Sequence, residues 1–426
     1  KGFELSGSQN KVCLSDIRNV EYFKLYFLED SLVCENTITE CDVGIELYCS
    51  WKNKIERNCI SNCSVGVKLF GGTASLNKIV ENTFTNCVIA VLSFDSVGNL
   101  VAGNKIVGSS SILALLEVVL PPPSAIYLHS TLSTNVSNNL IMAYPRGLTL
   151  HFSERITVSA NTITNCNEGI HISVSNSSIL FGNNLLNNTH SIYVEYTYNS
   201  TIFHNNFFGG DVNVTGGDCI FDLGYPQGGN YWRNYAAADE RSGLNQDLPG
   251  SDGIGDEPYI ISDHAIDRYP LMEPYGELAP LTYEHTVHLG DVIELTSNST
   301  ISNFRYFPEN HTISFYVEWR KGSKGFVGIK IPKSVVSGPL EVFFDGKPIP
   351  FNKTEGEDFI NVNFAYEHSR HEVVIHFKPQ ETIVEQTYTY TIPHTIVVIG
   401  VVIVSLLILA IFVRKRKASK LLHNPY

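Results

Sequence analysis

The chain has 426 residues, 43% hydrophobic and only 17% charged, enough to bury a large core spread over about two to four domains. Its net charge of −13 understates the acidity of most of the chain, because Arg414, Lys415, Arg416, Lys417 and Lys420 are gathered at the C-terminus. So acidic a body repels a phosphate backbone, which argues against nucleic acid as a partner and leaves divalent cations as more natural company.

Residues 36 to 45 read NTITECDVGI and residues 161 to 170 read NTITNCNEGI, the visible sign of an internal repeat. Anchor asparagines stand at Asn36, Asn58, Asn82, Asn104, Asn139, Asn161, Asn183 and Asn205, spaced 22, 24, 22, 35, 22, 22 and 22, the long interval holding a 13-residue insertion. Two positions after each anchor comes a large apolar residue, from Ile38 to Phe207, and eight positions after it a small one such as Gly44, Gly66, Ala90 or Gly169. Alternation beyond the small residue, as in Ile45/Leu47 and Ile170/Ile172, reads as a strand with one buried face. A further apolar position precedes each anchor by three, from Val33 to Ile202. Three short strands per coil, none able to fold alone, predict coils stacked ~4.8 Å apart. The fold class is therefore all-β, with residues 1–208 forming a right-handed parallel β-helix of pectate-lyase-like type and coils of about 22 residues.

The anchor asparagines are expected to hydrogen-bond backbone in turns, to tolerate left-handed conformation and to stack as an amide ladder. Cys41, Cys63, Cys87 and Cys166 align at anchor plus five. Parallel Cβ vectors ~4.8 Å apart miss the ~3.8 Å that a disulfide prefers, so a reduced, buried column is expected. Gly2-Phe3-Glu4-Leu5 matches the strand after the small position, so the chain opens partway through a coil and reads as a piece of a longer protein.

Outward positions follow at the small residue plus two and plus four: Glu46/Tyr48, Lys68/Phe70, Leu92/Phe94, Tyr127/His129, Thr149/His151, His171/Ser173 and Tyr193/Glu195. Phe70, Phe94, Tyr127 and Tyr193 are candidates for binding flat sugar faces; a hydrophobic strip covered by the insertion is the competing reading. His129, His151 and His171 are candidates for a transition-metal site, with unliganded surface histidines as the alternative. No catalytic residues are assigned. Glu46 and Glu195, the acids of these columns, are six coils apart, about 29 Å, whereas a glycosidase needs its two carboxylates within ~5–9.5 Å.

After Phe208 the period stops, and residues 209–282 read as a Gly/Asp-rich cap over the exposed core, with Tyr225, Tyr231, Trp232 and Tyr235 as lids. In SDGIGDE and just before it, Asp247, Asp252, Asp256 and Glu257 are candidates for a calcium site, a purely structural turn being the alternative. The coil pattern followed by GYPQGGNYW, GSDGIGDEPY and DRYPLM resembles the NosD-type β-helix proteins common on archaeal cell surfaces, over roughly residues 2–276. The resemblance implies a surface-exposed, carbohydrate-associated β-helix and, for the namesake bacterial branch, an accessory role in copper handling. Met142 and Met272 are the only thioethers, too few for a Cu(I) cluster.

Residues 283–380 change grammar, with HTISFYVEW, GFVGIKIP and the hairpin signal Asp345-Gly346, and predict an Ig-like β-sandwich of about seven strands. A stalk at 381–394 leads to Thr395–Val413, 19 residues without a charge, read as a transmembrane helix. The basic tail 414–426 places the N-terminal body outside the cell. Sequons at Asn62, Asn135, Asn176, Asn187, Asn199, Asn213, Asn298, Asn310 and Asn352 all fall on the outer side and permit glycosylation. The combined expectation is a single-pass surface protein that binds glycans, polysaccharide or surface-layer proteins without catalysis. A carbohydrate-active enzyme with catalytic coils ahead of Lys1 is the alternative.

Overall fold

The alternation after each small residue becomes a six-residue strand in coil after coil, as in Val43–Tyr48, Val65–Phe70 and Ile89–Phe94. The structure is a computed structural model that describes residues 3–113, 123–278, 280–287 and 290–378. In-register parallel pairing stacks Ile45 on Val67 on Val91, and Ile38 on Ile60 on Phe84. Ten short strands, from Asp16–Arg18 to Tyr231–Trp232, form one continuous parallel sheet, so the solenoid has ten coils. Its interior is the column of apolar side chains that the repeat predicts, each worth ~1.5–3 kcal/mol on burial. The small position is set by close approach: a Cβ on Gly66 would lie 2.6 Å from the Ala90 carbonyl oxygen and 2.8 Å from the Phe84 ring.

The anchor asparagines form an unbroken ladder. Each Nδ2 from Asn36 to Asn205 donates to the Oδ1 of the next anchor, at 2.8–3.1 Å, and each Oδ1 also accepts the backbone N–H of the anchor before it. One expectation is corrected. The left-handed residue is the one before the anchor, as at Glu35, Arg57, Glu81 and Ala160, so the turn is completed before the asparagine and its amide is free to point inward. A second column, Asn53, Asn77 and Asn99, repeats the device five positions earlier.

Cys41, Cys63, Cys87 and Cys166 are buried free thiols, and burial pushes Cys166 up to about 12. Stacked cysteines do bridge elsewhere in the solenoid: Cys13 and Cys34, partners on adjacent coils with Cα atoms 4.7 Å apart, form a disulfide. Side-chain rotation brings the two sulfurs together without moving the strands.

The solenoid runs one coil past the boundary expected at 208. Asp211–Ile220 pairs with the preceding long strand, and Tyr231–Trp232 with Asn206–Phe207. Asn230 adds a ninth rung, and the ladder ends on the carboxylate of Asp267, which accepts from Asn230 N (2.7 Å), Asn230 Nδ2 (3.4 Å), Trp232 Nε1 (2.8 Å) and Tyr269 N (3.1 Å). Gly229 makes room, since a Cβ there would meet Asp267 Oδ1 at 1.9 Å. Trp232 closes the core between Phe207 and Tyr259, with ring centroids 4.2 Å from each. Arg268 makes a two-pronged ion pair with buried Asp222. Of the four expected lids, Trp232 is the buried one, while Tyr225, Tyr231 and Tyr235 are half-buried.

Beyond the cap, two five-stranded antiparallel sheets share one core, in which Leu295, Ile329 and Val362 meet Phe315, Val342 and Ile375. Ten strands replace the expected seven or so; two of the additional ones, the short Lys347–Pro348 and the polar edge Asn352–Glu355, carry no apolar alternation. Asp345 and Gly346, both at positive φ, make the expected two-residue turn. Solenoid and sandwich meet where Phe208 stacks on Trp319 at 5.3 Å and Arg233 pairs with Glu318 at 2.9 Å. Among the described residues no helix is long and apolar enough to cross a membrane. The segments read as stalk, transmembrane helix and basic tail, at 381–394, 395–413 and 414–426, lie outside the described residues.

Candidate functional site

The outward side of the long strands carries the chemistry. The position four after each small residue stacks, coil on coil, into a run of rings: Tyr26, Tyr48, Phe70, Phe94, His129 and His151. Successive centroids are 5.9, 5.7, 5.5, 4.5 and 5.1 Å apart. Six coils at ~4.8 Å make an aromatic strip about 24 Å long. It exists because parallel stacking is in register, so one sequence position per coil becomes one column.

The second column is polar at its ends. Glu46 holds Lys68 at 2.9 Å and Lys24 at 3.6 Å. Farther along, a network gathers on three coils. Glu168 Oε2 lies 2.8 Å from Arg146 Nε and 2.7 Å from His171 Nδ1, while His171 Nε2 is 3.6 Å from Glu195 Oε1. Burial works to raise the Glu168 carboxyl, but the His171 hydrogen bond and the Arg146 charge outweigh it and hold it below the usual carboxylate range. His151 is held below the usual imidazole range, first by burial and then by the charges of His129 and His171. Tyr127, Arg146, His151, Ser173 and Glu195 line a cavity of about 210 Å³ at this end of the strip. A larger cavity of about 480 Å³ lies between the last coil and the cap, but its one cation, Arg233, is already paired with Glu318.

The structure brings Phe70, Phe94, His129 and His151 into one column, with Tyr127, His171 and Tyr193 in the column beside it. Tyr127 is less open than an outward position suggests: it is 7% exposed, and its hydroxyl meets His151 Nδ1 at 3.2 Å. Tyr193 stacks on His171 at 5.1 Å. Sequence reasoning missed Arg146 and Glu168, which sit just before the small glycines and outside the two columns considered; the aligned Arg/Glu pair one coil apart was the available signal. Six of the nine sequon asparagines are exposed, while Asn176, Asn213 and Asn298 are half-buried.

Asp252 and Asp256 are occupied as turn acceptors. Asp252 takes the N–H groups of Ile254 and Gly243, and Asp256 those of Glu240 and Arg241. Asp247 and Glu257 are exposed. Among the described residues, no three His, Cys, Asp or Glu side chains are grouped to hold a metal ion. The three site histidines are engaged separately, at Nδ1, by Ser130, Tyr127 and Glu168.

These features define a parallel β-solenoid protein whose long-strand face carries an aromatic strip ending in a polar cavity. The chain belongs to the NosD family, described as periplasmic copper-binding protein, which it matches over residues 4–116 and 122–237. Among the described residues the donor set does not fit copper: no three His, Cys, Asp or Glu side chains are grouped, and Met142 lies in a coil strand while Met272 follows the cap bridge at Leu271. No curated protein matches the chain. Among solved structures, XylC in complex with xylose is 15% identical, with a TM-score of 0.34, over 45% of this chain and 36% of that one. A tailspike protein mutant of E. coli bacteriophage HK620 in complex with pentasaccharide is 10% identical, TM-score 0.39, covering 89% and 85%. The receptor-binding protein of bacteriophage Det7 is 12% identical, TM-score 0.29, covering 86% and 73%.

Proposed function

We propose that this chain is a cell-surface β-solenoid that binds extended glycans along its aromatic strip, held at the membrane by residues 395–413 with the solenoid outside. The observation that carries the reading is the in-register column Tyr26, Tyr48, Phe70, Phe94, His129 and His151. Rings repeating at sheet spacing give a chain of sugars successive apolar faces to lie on, with burial and C–H contacts as the driving terms. One carboxylate, Glu195, lines the polar cavity, and Glu168 is tied to Arg146 and His171, which favours binding over two-carboxylate hydrolysis.

The test is a glycan array probed with the detergent-solubilised full chain, scoring retention and cleavage together. Retention of oligosaccharides without products is expected, and Phe70→Ala with Phe94→Ala should weaken it at least tenfold. Release of shortened sugars would favour the enzyme reading, and silence across the array would leave a protein-binding envelope component.

A further inference from the structure

At the His151 end of the strip the surface stops being flat. The strands Arg146–His151, Glu168–Ser173 and His190–Phe203, with Tyr127 beside them, enclose the cavity of about 210 Å³. We infer that this cavity is a separate subsite that takes a single neutral or amino sugar and rejects acidic ones; the inference rests on the glycan-binding reading and specifies its selectivity.

Size restricts the occupant first. The cavity lies below the ~300–1,000 Å³ typical of drug-sized ligands, so it suits one sugar ring and not a chain. Hydrogen bonding then fixes the chemistry. His171 is 6% exposed and its Nδ1 is held by Glu168, yet its Nε2 stops 3.6 Å short of the Glu195 carboxylate. That separation is too long for a direct hydrogen bond; with Nδ1–H given to Glu168, both facing atoms, Nε2 of the neutral imidazole and the carboxylate oxygen, are acceptors, so a ligand ammonium placed there donates to both and a hydroxyl to one of them. Charge adds selectivity. Arg146 is matched by Glu168 at 2.8 Å, so the Glu195 carboxylate dominates the lining and repels a uronate or sialate.

The rim supplies an apolar counterpart. Phe152, Val174 and Tyr196, next in sequence to His151, Ser173 and Glu195, are 54%, 37% and 62% exposed on consecutive coils. Their φ of 50°, 48° and 47° is the turn conformation that Phe27, Cys49, Asp95 and Ser130 take at the same place in other coils. The exposed Phe152 ring, 4.3 Å from that of the cavity residue His151, offers a face on which a sugar can lie.

The experiment titrates the full chain, by saturation-transfer NMR and calorimetry, with methyl glucoside, methyl galactoside, methyl mannoside, glucosamine, N-acetylglucosamine, glucuronic acid and N-acetylneuraminic acid. At least one neutral or amino sugar is expected to bind and neither acid to do so. Glu195→Gln should weaken glucosamine at least tenfold, and Ser173→Ala serves as a second, milder probe should the first perturb folding. Phe70→Ala with Phe94→Ala should leave monosaccharide binding within about twofold while weakening oligosaccharides. Equal binding of glucuronic acid, or no response to Glu195→Gln, overturns the subsite. Oligosaccharide binding without any monosaccharide binding overturns the subsite and spares the strip, whereas loss of both removes the glycan reading itself.

Discussion

Asp267 is the residue on which the solenoid end depends. It is fully buried, and burial pushes its carboxyl up to about 7 against the outweighed pull of the Trp232, Asn230 and Tyr269 N–H groups. Its folded-state value lies above its unfolded one, so the folded chain binds the extra proton between the two. That contribution is complete below the ordinary aspartate range and is lost as pH rises through about 7. Asp222 runs the other way: burial would raise it, the Arg268 bonds outweigh burial and lower it, and its contribution is lost only in more acidic solution. The melting temperature should therefore rise as pH is lowered from about 8 to about 5. Asp267→Asn should flatten that slope and lower the midpoint, because the amide turns one acceptor into a donor facing other donors. A melting curve of Asp267→Asn that keeps the wild-type slope would assign the pH dependence elsewhere. Asp267 was not legible in the sequence, since its partner Asn230 is 37 residues away and only the folded cap joins them.

Elements in this chain are stabilised by repetition more than by local propensity. A rung such as Asn161 accepts from Asn139 N and Nδ2 and donates to the Val136 carbonyl and to Asn183. Asn161→Ala leaves several buried groups without partners, at ~1–3 kcal/mol each, so a loss of at least ~3 kcal/mol is expected in urea denaturation. Lys105→Ala, at an exposed strand position, should cost under ~0.5 kcal/mol. The coils were readable because one constraint recurs: an inward amide, a large residue two later and a small residue where backbones approach. The tenth coil escaped although Asn230 and Trp232 repeat the asparagine and large apolar pair, because the spacing of 25 from Asn205 and the Gly-rich setting hid it. The strip of rings was legible for the same reason as the core, whereas Arg146 and Glu168 required knowing that the residue before the small glycine also points outward.

At the scale of the whole molecule, solenoid and sandwich are joined by a small contact with an apolar centre. Leu186, Phe208, Leu278, Leu281 and Trp319 are buried together, and Arg233 with Glu318 borders them. Trp319→Ala should cost about 3 kcal/mol and speed amide exchange at Phe208 and Leu281, leaving the Ile45 to Ile172 core protected. Uniform loss of protection throughout would instead mean that the two parts unfold as one. The joint was invisible in the sequence, because Phe208 and Trp319 each satisfy the local pattern of their own element.

The asparagine ladder also has a direction. Every side-chain amide from Asn36 to Asn230 presents its oxygen to the preceding coil and donates one N–H onward, the other going back to a carbonyl such as that of Val136, and the last onward N–H meets the Asp267 carboxylate. Aligned amide dipoles reinforce one another in a low-dielectric interior, with the positive pole at the capped end. An oxygen of the Asp267 carboxyl there accepts from the last rung, as a capping side-chain oxygen accepts from the first turn of an α-helix. The solenoid is thus electrically polarised along its axis, and its two ends are not interchangeable: a coil grafted in reverse orientation would oppose the field of all the others.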